Sequence, residues 1–182
     1  YFTKTAKVSL RPHVKTHKTP MIARMQIKAG AIGLCCATVC EAEEMVYAGL
    51  DNILIANQVV GEEKINRVLT IARYADIMVA VDNVDNLHNI SMAATKKRIG
   101  IGVLIEIDVG MGRCGVRNLE DAIKLARMAS ESSFVKMSGV MGYEGHAVFI
   151  EDRKKRAEVG SGSNERLVAF ARAIKNAGIA VD

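Results

Sequence analysis

The sequence predicts an α/β fold in which βα units repeat along a parallel sheet. Three observations lead there. Short apolar runs recur, segments with apolar residues at helical spacing separate them, and one unit follows the next at roughly 20–35 residues. With 182 residues, 49% apolar and 25% charged, the chain is long enough for one sizeable core and has the composition of a globular domain. The expectation is a single domain over 1–182.

The elements follow in order. Apolar runs at 8–14, 32–36, 53–56, 77–81, 103–108 and 138–143 read as strands. Thr38-Val39-Cys40-Glu41 has the form of a capping box that opens a helix, with Gly49 as its stop. Ile65, Val68, Leu69 and Ala72 form an i, i+3, i+4, i+7 stripe, and Leu119, Ala122, Ile123 and Ala126 form another behind Asn118 and Asp121. The longest helix is expected over 152–176, with Gly160-Ser161-Gly162-Ser163 a candidate break. Gly178 would end it, and Ile179-Ala180-Val181 would begin another strand.

Two architectures fit this alternation, a doubly wound open sheet and a (β/α)8 TIM-type barrel. Six units and the start of a seventh strand are too many for half a dinucleotide-binding fold. They are too few for a closed barrel, which takes about 250 residues. As a barrel, the chain would be incomplete, stopping before its last two strands. It opens at Tyr1 rather than Met, so an N-terminal piece is expected to be missing.

Composition excludes several function classes. The net charge is +5 with basic clusters at 11–18, 96–98 and 153–156, but aromatics are only 4%, too few for the stacking that a nucleic-acid surface uses. No apolar run approaches the ~18 residues of a membrane span, and the first ten residues do not resemble a signal peptide. Cys35, Cys36, Cys40 and Cys114 lack zinc spacing, and a chain of this size needs no disulfides. Free thiols in a reducing compartment, the cytoplasm, are expected.

The most informative stretch is Arg11-Pro12-His13-Val14-Lys15-Thr16-His17-Lys18. Strand alternation would put Arg11, His13, Lys15 and His17 on one face. Four such groups are costly to bury without an anionic partner. One reading is an exposed edge strand, and the other is an inner face that meets a phosphorylated or carboxylated ligand. In the second, cationic neighbours would disfavour the ammonium form of Lys15 and make it a better nucleophile toward an aldehyde. Gly110-Met111-Gly112-Arg113-Cys114-Gly115 is formally G-x-G-x-x-G. It follows the fifth strand rather than the first, the next helix starts only at Asn118, and no acid ends the next strand. A strand-end turn that shapes a pocket is the preferred reading.

Arg11 to Thr19 resembles the cofactor-lysine motif of the D-threonine aldolase and D-serine dehydratase family, part of the group that shares the alanine-racemase barrel. Glu106 to Val116 resembles its acidic, glycine-rich strand end, and Gly142-Tyr143-Glu144-Gly145-His146 its later tyrosine element; Gly33 to Cys36 and Ala56 to Val59 are also similar. The resemblance covers almost the whole chain. It implies pyridoxal 5'-phosphate held by Lys15 as a Schiff base, with His13, Arg113 and Tyr143 near the cofactor; for Arg113 a salt bridge to Glu106 or Asp108 stands as the alternative. It further implies a lyase acting on a β-hydroxy-D-amino acid, by aldol cleavage, with dehydration or a non-catalytic cofactor carrier as alternatives. A divalent metal would help, held by a C-terminal β-domain outside this chain, and no metal ligand is assigned within 1–182. The fragment alone would be inactive, and a homodimer is expected.

Overall fold

The computed structural model describes residues 5–181. Five strands, β1 Leu34–Cys36, β2 Ile53–Gln58, β3 Ile77–Val81, β4 Ile101–Ile107 and β5 Val135–Gly142, form one sheet in sequential order. Every neighbouring pair is parallel. Among the elements described in full, six helices connect or flank them: α1 Pro20–Lys28, α2 Val39–Tyr47, α3 Glu62–Ile71, α4 Val84–Lys97, α5 Leu119–Glu131 and α6 Arg153–Asn176. Each helix packs on the next, so they make one layer on one face of the sheet. A doubly wound sheet reverses its strand order and places helices on both faces. The arrangement here is a curved barrel wall.

The helix-facing side of the strands supplies the core. Leu34, Ile53, Ile55, Val79, Val81, Val103, Ile105 and Ile107 are buried there against Met45, Leu69, Leu87, Ile90 and Leu125 of the helices. The alternate residues, Cys35, Leu54, Ala80, Leu104 and Glu106, lie on the opposite, inner face. A bulge between Ile55 and Gln58 of β2 pairs Gln58 with Ala80. The two-residue shift keeps Gln58 on the inner face with Leu54 and sets it level with Ala80.

Local signals set the helix starts. Thr38 accepts from Glu41 N at 3.2 Å, and the Glu41 carboxylate returns to Ala37 N at 2.7 Å. Asn118 caps α5 through Asp121 N at 2.9 Å. Gly49 takes φ 76 after α2 and Gly178 φ 83 after α6, as left-handed helix ends require.

Three expectations change. The run at 8–14 is not a strand, because pairing reduces to one parallel bridge, His13 with Cys35. Leu10 O and Pro12 O accept from Ile32 and Cys35, Val14 N donates to Cys35 O, and the chain then turns as Lys18 N bonds Val14 O at 2.8 Å. Pro12 has no N–H to give, and three-residue β1 offers a short ladder. The Gly160–Ser163 stretch does not break α6, which runs 24 residues; Ser163, Phe170 and Ile174 are buried and hold it to the sheet. Residues 179–181 form no strand. Ile179 and Val181 still pack against the core, but β5 ladders only with β4 and offers them no pairing.

Candidate active site

Because all strands are parallel, their C-terminal ends share one rim. Lys15 follows the His13 bridge on that rim, Asp108 and Arg113 follow β4, and Tyr143 follows β5. Active sites of such barrels lie on this face.

The Lys15 turn is anchored on its helix side by Val14, which is fully buried. Lys15 N donates to His13 Nδ1 at 3.2 Å, which leaves a neutral His13 with its proton on Nε2. Burial, then the Lys15 charge, hold the His13 imidazole below its ordinary pKa. Burial raises the Cys35 thiol, opposed by the charges of Arg11 and Lys15. The Lys15 amine therefore sits within electrostatic reach of His13 and of Cys35 on the inner face. Cys36, one residue on, faces the helices, and burial pushes its thiol up to about 12. Among the described residues no carboxylate pairs with Lys15, whereas Lys18 pairs with Glu41 at 3.5 Å.

Arg11 and His17 do not join a four-membered cationic face. Arg11 bonds Asn52 O at 2.5 Å and Asn52 Oδ1 at 2.8 Å, beyond the N-terminal end of β2. A Cβ on Gly33 would collide with the backbone oxygen of Asn52 as well as with Arg11 Nη1, so this packing needs glycine there. The turn ends strand alternation after His13. His17 Nδ1 accepts from Thr19 N at 3.2 Å, while its buried Nε2 has no partner among the described residues.

The glycine turn after β4 spends its N–H groups on the protein's own carboxylates. Asp108 Oδ1 accepts from Gly110 N at 3.0 Å and Gly112 N at 2.9 Å, and Asp82 Oδ2 from Gly115 N at 2.9 Å. A pyrophosphate would find these donors taken, which rules out the dinucleotide reading. Burial raises the Asp108 carboxyl, but the Gly112 and Gly110 N–H groups and Arg117 outweigh it, leaving it below its usual range. Arg117, not Arg113, pairs with Asp108, at 3.2 Å. Arg113 instead lies over the Tyr143 ring, 5.3 Å from its centre. A Cβ on Gly145 would collide with that ring at 2.3 Å, so glycine makes room for it.

Beneath Arg113 lies Glu106, 4% exposed. Gln58 Nε2 donates to its carboxylate across β3, where Ala80 carries only a methyl group. Burial is the main cause of its raised pKa; the Gln58 bond and the Arg113 charge oppose that, while Asp82 and Asp108 add to it. Asp82, Glu106 and Cys114 bring ligand atoms within 4.8 Å of one another, although Asp82 and Glu106 already accept from Gly115 and Gln58. His146 Nδ1 is buried without a partner among the described residues, beside Gly110. Sequence reasoning gave no role to Gln58 or His146 and saw Glu106 only as an alternative partner for Arg113. The signal for His146 was its place just past β5 in Gly-Tyr-Glu-Gly-His.

Glu106, Asp108, Met111, Arg113, Cys114 and Tyr143 line one recess. That recess does not include Lys15, His13 or His146; the rim carries an amine without a carboxylate partner among the described residues by β1 and a guanidinium over an aromatic ring after β4 and β5.

A family profile for the alanine racemase N-terminal domain matches residues 2–182. The chain belongs to that family. It is 41% identical to D-threonine aldolase of Arthrobacter sp over 175 residues, 96% of this chain and 46% of that protein. The structure of D-threonine aldolase from Filomicrobium marinum superposes with a TM-score of 0.95 at 34% identity, covering 99% of this chain and 49% of that one. D-threo-3-hydroxyaspartate dehydratase from Delftia sp. HT23 superposes with a TM-score of 0.91 at 26% identity, over 98% and 48%. The chain thus spans about half the length of the relatives it matches. The five strands and six helices are an incomplete form of the family's barrel. No helix among the described residues is long and apolar enough to cross a membrane.

Proposed function

We propose that this chain is the pyridoxal-phosphate-binding part of a lyase that cleaves β-hydroxy-D-amino acids to glycine and an aldehyde. The observation that carries the reading is Lys15, an amine with no carboxylate partner among the described residues, at the rim beside the inward His13 and Cys35. The relative from Arthrobacter supports aldol cleavage, and the Delftia dehydratase supports a dehydrating alternative on the same scaffold.

Lys15 would hold the cofactor through Nζ, and His13, Arg113 and Tyr143 would bind around it. The bound cofactor supplies an electron sink for negative charge at the substrate Cα. Once the substrate amine takes its place on the cofactor, the freed Lys15 amine would deliver the proton that Cα takes up as the Cα–Cβ bond breaks. The neutral, Nε2-protonated His13 offers a donor to an anionic oxygen without adding a second positive charge beside Lys15. Arg113, lying over the Tyr143 ring, would give a directed cation for a carboxylate or phenolate oxygen.

We assign the divalent metal to ligands outside residues 1–182, in a second, β-rich domain. Full activity then belongs to the longer protein, as a homodimer in the cytoplasm; four unpaired cysteines suit that compartment. The test is product analysis with a β-hydroxy-D-amino acid. Glycine plus aldehyde supports the reading, and ammonia plus a keto acid replaces it with the dehydratase.

A further inference from the structure

The turn that carries Arg113 is soft by sequence and is held from outside. Gly110, Gly112 and Gly115 take φ of 122, 69 and 99, and glycine loses more conformational freedom on ordering than any other residue. The turn leaves β4 at Asp108 and returns at Val116, where Asp108 N bonds Val116 O at 3.0 Å and Val116 N bonds Glu106 O at 2.9 Å. One side chain bridges this neck. Arg166 of α6 donates from Nε to Asp108 O and from Nη2 to Arg117 O, each at 2.8 Å. Ser163, one helical turn earlier, donates to Val109 O at 3.0 Å and is 5% exposed. Phe170, one turn later and buried, lies under the Arg166 guanidinium at 5.3 Å. Residues 163, 166 and 170 share one helix face, so α6 presents a single stripe to the turn.

We propose that Arg166 and Ser163 are positioning residues that hold the β4 turn so that Arg113 stays directed at the anionic oxygens of the bound ligand. The inference rests on the functional reading of Arg113 given above. Neither residue touches the Arg113 side chain; both act through the backbone of the turn. The planar fork of an arginine reaches two carbonyls at once, and a lysine reaches one.

The experiment joins hydrogen exchange with a double-mutant cycle in the full-length enzyme. Without cofactor, Arg166→Ala should speed amide exchange at 109–115 by about tenfold and leave β1 to β3 unchanged. Ser163→Ala should have a smaller effect, and Arg166→Lys should fall between wild type and Arg166→Ala. With cofactor, Arg166→Ala should raise KM for the amino acid by about tenfold with a smaller change in kcat. Because Arg166 works through Arg113, adding Arg166→Ala to Arg113→Ala should cost no more than Arg113→Ala alone. Multiplicative losses, or exchange at 109–115 that stays at the wild-type rate, overturn the positioning role. Arg113→Ala without effect on cofactor or substrate overturns the reading of Arg113 itself, whatever Arg166 does.

Discussion

Gly115→Ala separates close backbone approach from simple conformational strain. A Cβ at this position would lie 2.4 Å from Asp108 N and 2.5 Å from Ile107 C. Both are backbone atoms at the end of β4 and cannot swing aside. The residue also has φ +99, which costs an alanine about 1–2 kcal/mol. Relieving the overlap must open the Val116 bridge, at about 1–3 kcal/mol for overpacking. Together these destabilise by about 2–5 kcal/mol, or a fall in Tm of roughly 4–20 °C for a domain of this size. Gly112→Ala is the control. Its φ is +69, but no atom lies within 4 Å of the added Cβ, so only the strain of about 1–2 kcal/mol applies. Thermal melts of both variants under one condition measure the difference. Equal losses would refute the role of close packing at Gly115.

Two further predictions follow from the same structure. The raised pKa of Glu106 means that the folded state holds the carboxyl proton more tightly than the unfolded chain. Its favourable contribution is full below the ordinary carboxyl pKa and is lost as pH rises through the raised value. Glu106→Gln, which stays neutral, should match wild type near pH 4 and melt higher at pH 8; a variant that loses more at pH 8 than at pH 4 contradicts the assignment. Gly160 and Gly162 lie inside α6 with no atom near an added Cβ. Alanine at either should stabilise by about 0.5–1 kcal/mol, read as a higher urea midpoint, and a lower midpoint would mean that the helix uses glycine there.

Much of the fold was legible because its signals are local. Thr38 and Asn118 cap helices through bonds that span three residues, and Ile65, Val68 and Leu69 bury the face that their spacing foretold. What escaped depends on distant partners. Gly160-Ser161-Gly162-Ser163 weakens a helix by propensity, but Ser163 reaches Val109 across 54 positions and holds α6 together. The run at 8–14 has strand composition, yet three-residue β1 can pair it only briefly. At the site, strand alternation and the motif separated Lys15 from Lys18. Separating them by charge pairing needed Glu41, placed by α2. Asp108 had Arg113, five positions on, as its expected partner, and turn geometry gave that contact to Arg117, nine positions on, which the sequence did not single out. Gln58 sits level with Ala80 and reaches Glu106 across it because a bulge in β2 shifts the register by two residues.

The central claim is that Lys15, rather than Lys18, holds the cofactor. Pyridoxal phosphate added to the full-length protein and then reduced with borohydride should leave a pyridoxyl group that peptide mapping places on Lys15. Lys15→Ala should abolish it, and Lys18→Ala should keep it. A label on Lys18, or one that survives Lys15→Ala at the wild-type level, would contradict the account.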